Sequence, residues 1–382
     1  MKGKRRTLSY LALAVIFILM ILSFVNQIYG FLADRKTKTI AYDPAELGRG
    51  YAEILDTATL EQPRQPEIGY ECRPVSLNNV TSFDGVPGVR SCFEWGWQLF
   101  DQDPSEYSEA LAVAAVSIIN AEYWLGYDYT EDDVRAIRDG LGFSRTEIIN
   151  SGDAMNVDRP VTIISSVKAE FPEGERYIVC VDIRGTYSVG DALTDIKAAH
   201  NGFSVAAEDV AGNIRRYVAS YCADVSPEDI AFFVMGHSMG GACAGLQARL
   251  LDEAGYDAAK TFIYTIASPK YRLNGGRNAY PNVKNLIISK DFVPRVPFLD
   301  GRYGEDIRYD DPFPAITAGD ALEIMLNARP DNELLETLVA HHSSYTYLIE
   351  VCEQDYAEES VWADFIFFNA KLLFQTMQLA TE

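Results

Sequence analysis

The stretch 229–246, D-I-A-F-F-V-M-G-H-S-M-G-G-A-C-A-G-L, leaves this chain few ways to fold. Ile230 to Met235 form an apolar run with the length and composition of a buried strand. The chain then turns sharply through Gly236-His237-Ser238-Met239-Gly240 and continues from Gly241 to Leu251 in small, helix-compatible residues. A strand passing into a helix through so short a turn needs small residues beside its apex, because Cβ atoms there would collide. This G-x-S-x-G context predicts that the Ser238 hydroxyl is lifted to the C-terminal edge of a sheet. The backbone N–H of Met239 would then point where negative charge develops on a bound carbonyl.

The flanking sequence predicts the sheet. Strands are expected over 160–167, 176–183, 261–267 and 283–289, each an apolar run bounded by turn residues. Residues 111–125 are small and aliphatic all round, as in a buried helix. Thr130-Glu131-Asp132-Asp133 opens a second helix with a capping-box pattern, and Gly140 closes it. A third helix, 202–221, carries an apolar stripe through Val210, Ile214, Tyr217, Val218 and Tyr221. Alternating strands and helices imply an α/β fold, a mostly parallel sheet with helices on both faces. Ligands of such sheets sit beyond the carboxyl ends of the strands. Residues 70–98, rich in aromatics, read as an irregular entry segment covering the sheet.

With 382 residues, 48% of them hydrophobic, the chain can bury a large core. Its net charge of −22 argues against nucleic-acid partners and favours a soluble, exposed face over one docked on anionic lipid. Lys2, Lys4, Arg5 and Arg6 precede an uncharged run over 7–32 that is long enough to span a bilayer. Two readings follow: a cleaved secretion signal, or an uncleaved anchor holding an extracytoplasmic protein at the membrane. The apolar core is not followed by an A-x-A cleavage site, which favours the anchor. The expected organisation is a signal or anchor segment (1–32), a polar stalk (33–68) with one short helix over 44–57, and a catalytic domain (69–382). Six cysteines show no metal-ligand spacing, and Cys72 and Cys92 are the candidate disulfide by proximity. Cys180 and Cys243 read as buried thiols. Nothing in the sequence speaks to oligomeric state.

A serine hydroxyl becomes a nucleophile only when a base takes its proton and an acid holds that base. The chain has four histidines. His237, beside the serine, is expected to point away from the pocket, and His200 belongs to a turn. His341 and His342 remain, after a helix expected over 332–339, and either suits the base. Asp291 follows a strand directly and is stiffened by Pro294 and Pro297, as an orienting carboxylate would be. The order Ser238, Asp291, His341 or His342 is that of α/β-hydrolases.

Taken together, Asp182-Ile183-Arg184-Gly185-Thr186, Gly236-His237-Ser238-Met239-Gly240-Gly241, Ala267-Ser268-Pro269, Asp291-Phe292-Val293-Pro294 and the late histidine resemble the class 3 lipases, over about 107–348. Gly301-Arg302-Tyr303-Gly304 is also similar to a segment that follows the acid in bacterial members. The resemblance implies an α/β-hydrolase fold and a catalytic Ser238, Asp291 and His342. His342 is preferred over His341 because His342, Ser343 and Tyr347 match the family's ending more closely. It further implies an oxyanion hole from Thr186 and Met239. Asp195, nine positions on, would steady the Thr186 hydroxyl, and Gly236 and Gly240 would support the turn. The implied activity is hydrolysis of carboxylic, acylglycerol-type esters through an acyl-enzyme, with no metal or organic cofactor. Residues 187–200 would be a lid or an ordinary packed helix, and the aromatic run 361–373 reads as core rather than a second membrane span. Two other readings use the same residues: a phospholipase or acyltransferase with this triad, and a catalytically silent binding module on the cell surface.

Overall fold

Strand 230–237, here β6, shows how the sequence sets the layers. Alternate side chains of a strand point to opposite faces, and both faces of this one are apolar. Ala231, Phe233 and Met235 enter one core, and Ile230, Phe232 and Val234 enter another. A strand buried on both faces belongs in the middle of a sheet covered on both sides, and that is where it lies.

The computed structural model describes residues 71–76, 90–122, 130–150, 159–172, 174–185, 202–273, 279–296, 300–309 and 341–353. The strands are β1 (Glu71–Ser76), β2 (Arg90–Trp95), β3 (Ser144–Ile149), β4 (Thr162–Phe171), β5 (Gly174–Ile183), β6 (Ile230–His237), β7 (Thr261–Ile266), β8 (Arg272–Leu273), β9 (Val283–Ile288), β10 (Asp300–Gly301) and β11 (Glu305–Tyr309). The helices are α1 (Glu109–Glu122), α2 (Glu131–Gly140), α3 (Gly202–Tyr221), α4 (Met239–Glu253) and α5 (Ser344–Glu353). Seven strands form the main sheet in the order β11-β9-β7-β6-β5-β4-β3. β11, β9, β7, β6 and β5 pair in parallel, and β4 and β3 join antiparallel. The sheet is therefore mixed and mostly parallel, an α/β-hydrolase-like arrangement.

One face packs against α1 and α5, through Leu111, Ile118, Tyr347 and Leu348. The other packs against α3 and α4, through Val210, Ile214, Ala244 and Leu251. Full burial of one large apolar side chain contributes about 1.5–3 kcal/mol, so a sheet sandwiched on both sides is a stable platform for its loops. α2 begins as expected: Thr130 Oγ1 accepts from the Asp133 N–H at 3.3 Å, and Asp133 Oδ2 accepts from the Thr130 N–H at 2.7 Å.

The expected irregular segment over 70–98 is corrected. It contains the antiparallel pair β1–β2, followed by a 3-10 turn at Trp97–Phe100. Pro74 hides this ribbon from pattern reading, since proline argues against a central strand, yet both strands of a two-stranded ribbon are edges and tolerate it. Its register sets Cys72 opposite Glu94 and Cys92 opposite Pro74. Trp95 ties the ribbon to the body, donating from Nε1 to the Leu141 carbonyl at 2.8 Å. Two edge strands were also not expected. β3 is half-exposed with a register shift between Ser144 and Glu147, and β11 reads E-D-I-R-Y. Neither has an apolar run to reveal it.

The expected anchor over 1–32, the stalk and its helix, the helix over 332–339, residues 187–200 and the run 361–373 lie outside the described residues. Among the described residues no helix is long and apolar enough to cross a membrane.

Candidate active site

Ser238 caps the start of α4 directly after β6, with φ 56° and ψ −124°. A non-glycine residue with positive φ costs about 1–3 kcal/mol and persists only where its surroundings impose it. Here the surroundings are visible. The Ser238 N–H donates to the Ile266 carbonyl at 2.9 Å, pinning the turn to the end of β7. A Cβ on Gly236 would stand 2.3 Å from the Gly240 carbonyl oxygen, and one on Gly240 would stand 1.9 Å from that of Ile183. Both flanking glycines are sterically required, as the turn pattern predicts.

The side chains from three separate regions meet at this turn. Ser238 Oγ lies 2.8 Å from His342 Nε2, and His342 Nδ1 lies 2.9 Å from Asp291 Oδ2. Asp291 follows β9 and is buried, as are Ser238 and His342. The carboxylate accepts at Nδ1, so that nitrogen carries the ring proton and Nε2 presents a lone pair to the serine hydroxyl. The alternative histidine, His341, is also buried, but it is His342 that faces the serine.

Asp291 is held from several sides. Its Oδ1 accepts from the Val293 N–H at 3.0 Å, and Oδ2 accepts from the Tyr347 hydroxyl at 2.9 Å. That hydroxyl in turn accepts from the Ile288 N–H at 3.1 Å. Burial first, and the Asp291 charge second, push the Tyr347 phenol well above its ordinary pKa, so it stays a donor. Arg302, also buried, braces the same region. Its guanidinium donates to the Ser268 and Pro294 carbonyls and to both carboxylate oxygens of Asp306. Sequence reasoning assigned no role to Tyr347 or Arg302, although both stood in segments it singled out. Tyr347 reaches Asp291 across 56 residues, and Arg302 reaches the Ser268 carbonyl across 34.

The His237 ring lies against His342, with centroids 4.9 Å apart. Its Nε2 is 2.8 Å from the His342 carbonyl oxygen. Burial, with a smaller contribution from His342, lowers its pKa to about 3, so the ring stays neutral.

Of the expected oxyanion-hole residues, Met239 opens α4, where the backbone N–H groups of a helix's first turn have no intrahelical partner. Thr186 and Asp195 lie outside the described residues. Gly185, the last residue described before Thr186, adjoins the turn: a Cβ on it would stand 2.7 Å from the His237 carbonyl oxygen. Among the described residues no group of three or more His, Cys, Asp or Glu could hold a metal ion.

A second buried polar cluster lies under the sheet face covered by α1. Arg138 of α2 forms a two-pronged ion pair with Glu122 of α1, Nη2 donating to Oε2 at 2.6 Å and Nε to Oε1. Its Nη1 also donates to Ser165 Oγ at 3.2 Å and to Cys180 Sγ. Asp182 of β5 is buried beside them, and burial, then the Glu122 charge, raise its pKa well above the ordinary 3.8. Burial likewise pushes the Cys180 thiol up to about 12, so it stays protonated.

Comparison with known proteins finds a family match over part of the chain. Residues 179–301, from β5 to β10, match the family described as Lipase (class 3), so the resemblance carried by the sequence motifs holds over that segment. A secreted mono- and diacylglycerol lipase 1 from Fusarium solani is 30% identical over 158 residues, covering 34% of this chain and 46% of that protein. The chain thus spans about half the length of this relative. Among solved structures, Lip2 lipase from Yarrowia lipolytica is similar at 19% identity, covering 58% of this chain and 82% of that one, with a TM-score of 0.37. The Rhizomucor miehei lipase propeptide complex is similar at 14% identity, covering 66% and 80%, with a TM-score of 0.38.

Proposed function

We propose that this chain is a serine ester hydrolase of lipase or carboxylesterase type, cleaving carboxylic esters of the acylglycerol kind. The observation that carries the proposal is the continuous line of Ser238 Oγ, His342 and Asp291, with links of 2.8 and 2.9 Å. In this reading Ser238 is the nucleophile, His342 the general base and Asp291 the acid that orients the base. The Ser238 oxygen attacks the ester carbonyl while its proton passes to His342 Nε2. The imidazolium so formed is stabilised by Asp291, which stays ionised. The backbone N–H groups of Met239 and Thr186 bind the oxyanion, Asp195 steadies Thr186, and Gly236 and Gly240 allow the turn. Collapse of the intermediate breaks the ester C–O bond, the alcohol leaves with the proton from His342, and the acyl group remains on Ser238. Water then attacks the acyl carbonyl as its proton passes to His342. The bond from the acyl carbon to Ser238 Oγ breaks, and His342 returns the proton to Ser238 Oγ as the acid leaves.

The class 3 lipase match over 179–301 supports an ester as the substrate. The domain organisation proposed is an anchor over 1–32, a stalk over 33–68 and a catalytic domain over 69–382, which would hold the site outside the cell at the membrane. The relative from Fusarium solani is a secreted protein, which fits an extracellular site. The test is hydrolysis of p-nitrophenyl esters from acetyl to palmitoyl by wild type and Ser238→Ala. Hydrolysis that disappears in the variant is expected, and the preferred chain length separates esterase from lipase. Folded wild-type protein that hydrolyses none of them would overturn the proposal.

A further inference from the structure

We infer that His237 is a positioning residue: its Nε2–H, donated to the His342 carbonyl, holds the proposed base in register with the neighbouring Ser238. The inference rests on the nucleophile and base assigned above, and it concerns a residue for which the turn pattern alone gives no role. A carbonyl oxygen can only accept, so the 2.8 Å contact fixes the His237 proton on Nε2. The bond links the residue just before the nucleophile to the backbone of a residue 105 positions later in the chain. It therefore acts across the one gap that the proton transfer must cross.

Two further contacts keep the ring in place. His237 lies against the His342 ring at 4.9 Å with an interplanar angle of 40°, and edge-on to Tyr347 at 6.4 Å. Only 3% of the residue is exposed. The ring that supports His342 is consequently an uncharged one. This matters because a cation at that distance would oppose the imidazolium that forms when His342 accepts the serine proton. His237 touches neither substrate nor Ser238 Oγ in this role, and acts through His342.

The experiment compares wild type, His237→Phe and His237→Gln by the rate at which a fluorophosphonate labels Ser238, and by kcat and KM on p-nitrophenyl butyrate. Phenylalanine keeps a ring but loses the donor, whereas the glutamine amide returns an N–H near the position of Nε2. Misplacing a reacting group by about 1 Å can cost about a hundredfold, so His237→Phe should slow labelling and lower kcat by about ten- to a hundredfold. KM should stay within about threefold, because substrate binding does not use the bond, and His237→Gln should recover to within about threefold of wild type. Labelling of His237→Phe at the wild-type rate, or equal losses in the two variants, would overturn the inference. If His237→Phe does not fold, 15N-histidine spectra of wild type decide. A neutral His237 protonated on Nε2 between about pH 5 and 8 supports the inference, and an Nδ1–H tautomer or a cation overturns it. Wild-type protein whose Ser238 does not label at all would instead overturn the site assignment, and this inference with it.

Discussion

Two buried carboxylate networks share this sheet, and they surround their acids differently. Asp291 has three donors around it: His342 Nδ1, the Tyr347 hydroxyl and the Val293 N–H. All three donors converge on the two oxygens of one carboxylate. Asp182 sits near a second carboxylate, Glu122, which is itself ion-paired with Arg138. Its Oδ1 has no hydrogen-bond partner among the described residues. Burial and the Glu122 charge raise its pKa well above the ordinary carboxylate value. Two carboxylates equally buried thus differ in what surrounds them: three donors converge on Asp291, whereas Oδ1 of Asp182 meets none among the described residues. The first network ends on a serine, in a line that suits the proton transfer proposed above. The second closes on itself and fastens α1 and α2 to β4 and β5.

Substitutions should pull the two networks apart. The largest effect is expected from Asp291→Asn, which preserves shape but presents the wrong tautomer to Ser238. Its kcat should fall by about 10⁴, with the unfolding midpoint nearly unchanged, as followed by ester hydrolysis beside thermal denaturation. Arg138→Met should reverse that pattern. It leaves Glu122 buried without its cation, at a cost of about 3–5 kcal/mol in urea titration, while kcat of the folded fraction stays near wild type. Tyr347→Phe removes one hydrogen bond to a charged group, worth about 1.5–3 kcal/mol. Loss of part of that in the transition state should lower kcat by about tenfold, and the loss should persist across the pH profile because the phenol does not titrate there.

Asp182→Asn is the smallest and the sharpest. The folded state retains a proton on Asp182 that the unfolded chain loses near pH 3.8. A carboxyl raised in this way stabilises fully below that pH, and its contribution is lost as pH rises toward the folded-state value. Asparagine has no proton to lose, so the variant should gain stability relative to wild type on going from pH 4 to pH 8, in chemical denaturation at each pH. A stability difference that stays flat, or moves the other way, would mean that Asp182 is ionised in the fold.

The legibility of this molecule from its sequence follows the same division. The turn at Ser238 was readable because its geometry is dictated by adjacent residues: Gly236 and Gly240 leave no alternative conformer that fits. Strands β4, β5, β6, β7 and β9 were readable within a few residues because each contains a buried apolar stretch. Asp291 stood out as an acid at the end of β9. The choice between His341 and His342 was not readable from the residues alone, since one residue separates them and only the path of the chain tells which faces the serine. Tyr347, Arg302 and the role of His237 were hidden for the same reason, as each acts on a partner brought near by the fold. Glu122 and Arg138 were hidden differently. Charged residues at the ends of helices read as solvated, and only tertiary packing reveals both as fully buried.

The connectivity of the sheet also orders events during folding. β4 and β5 are neighbours in sequence joined by a short turn and paired over ten residues, so their ladder closes a small loop and is entropically the least costly to form. β6 must wait for α3 to be threaded across, and the turn at Ser238 is complete once β7 arrives to accept its N–H. The Ser238–His342 contact spans 104 residues and requires β9 and the segment before α5 to be in place. A refolding chain would therefore regain its secondary structure before its reactivity. The delay would keep Ser238 apart from His342 for as long as the chain remains open.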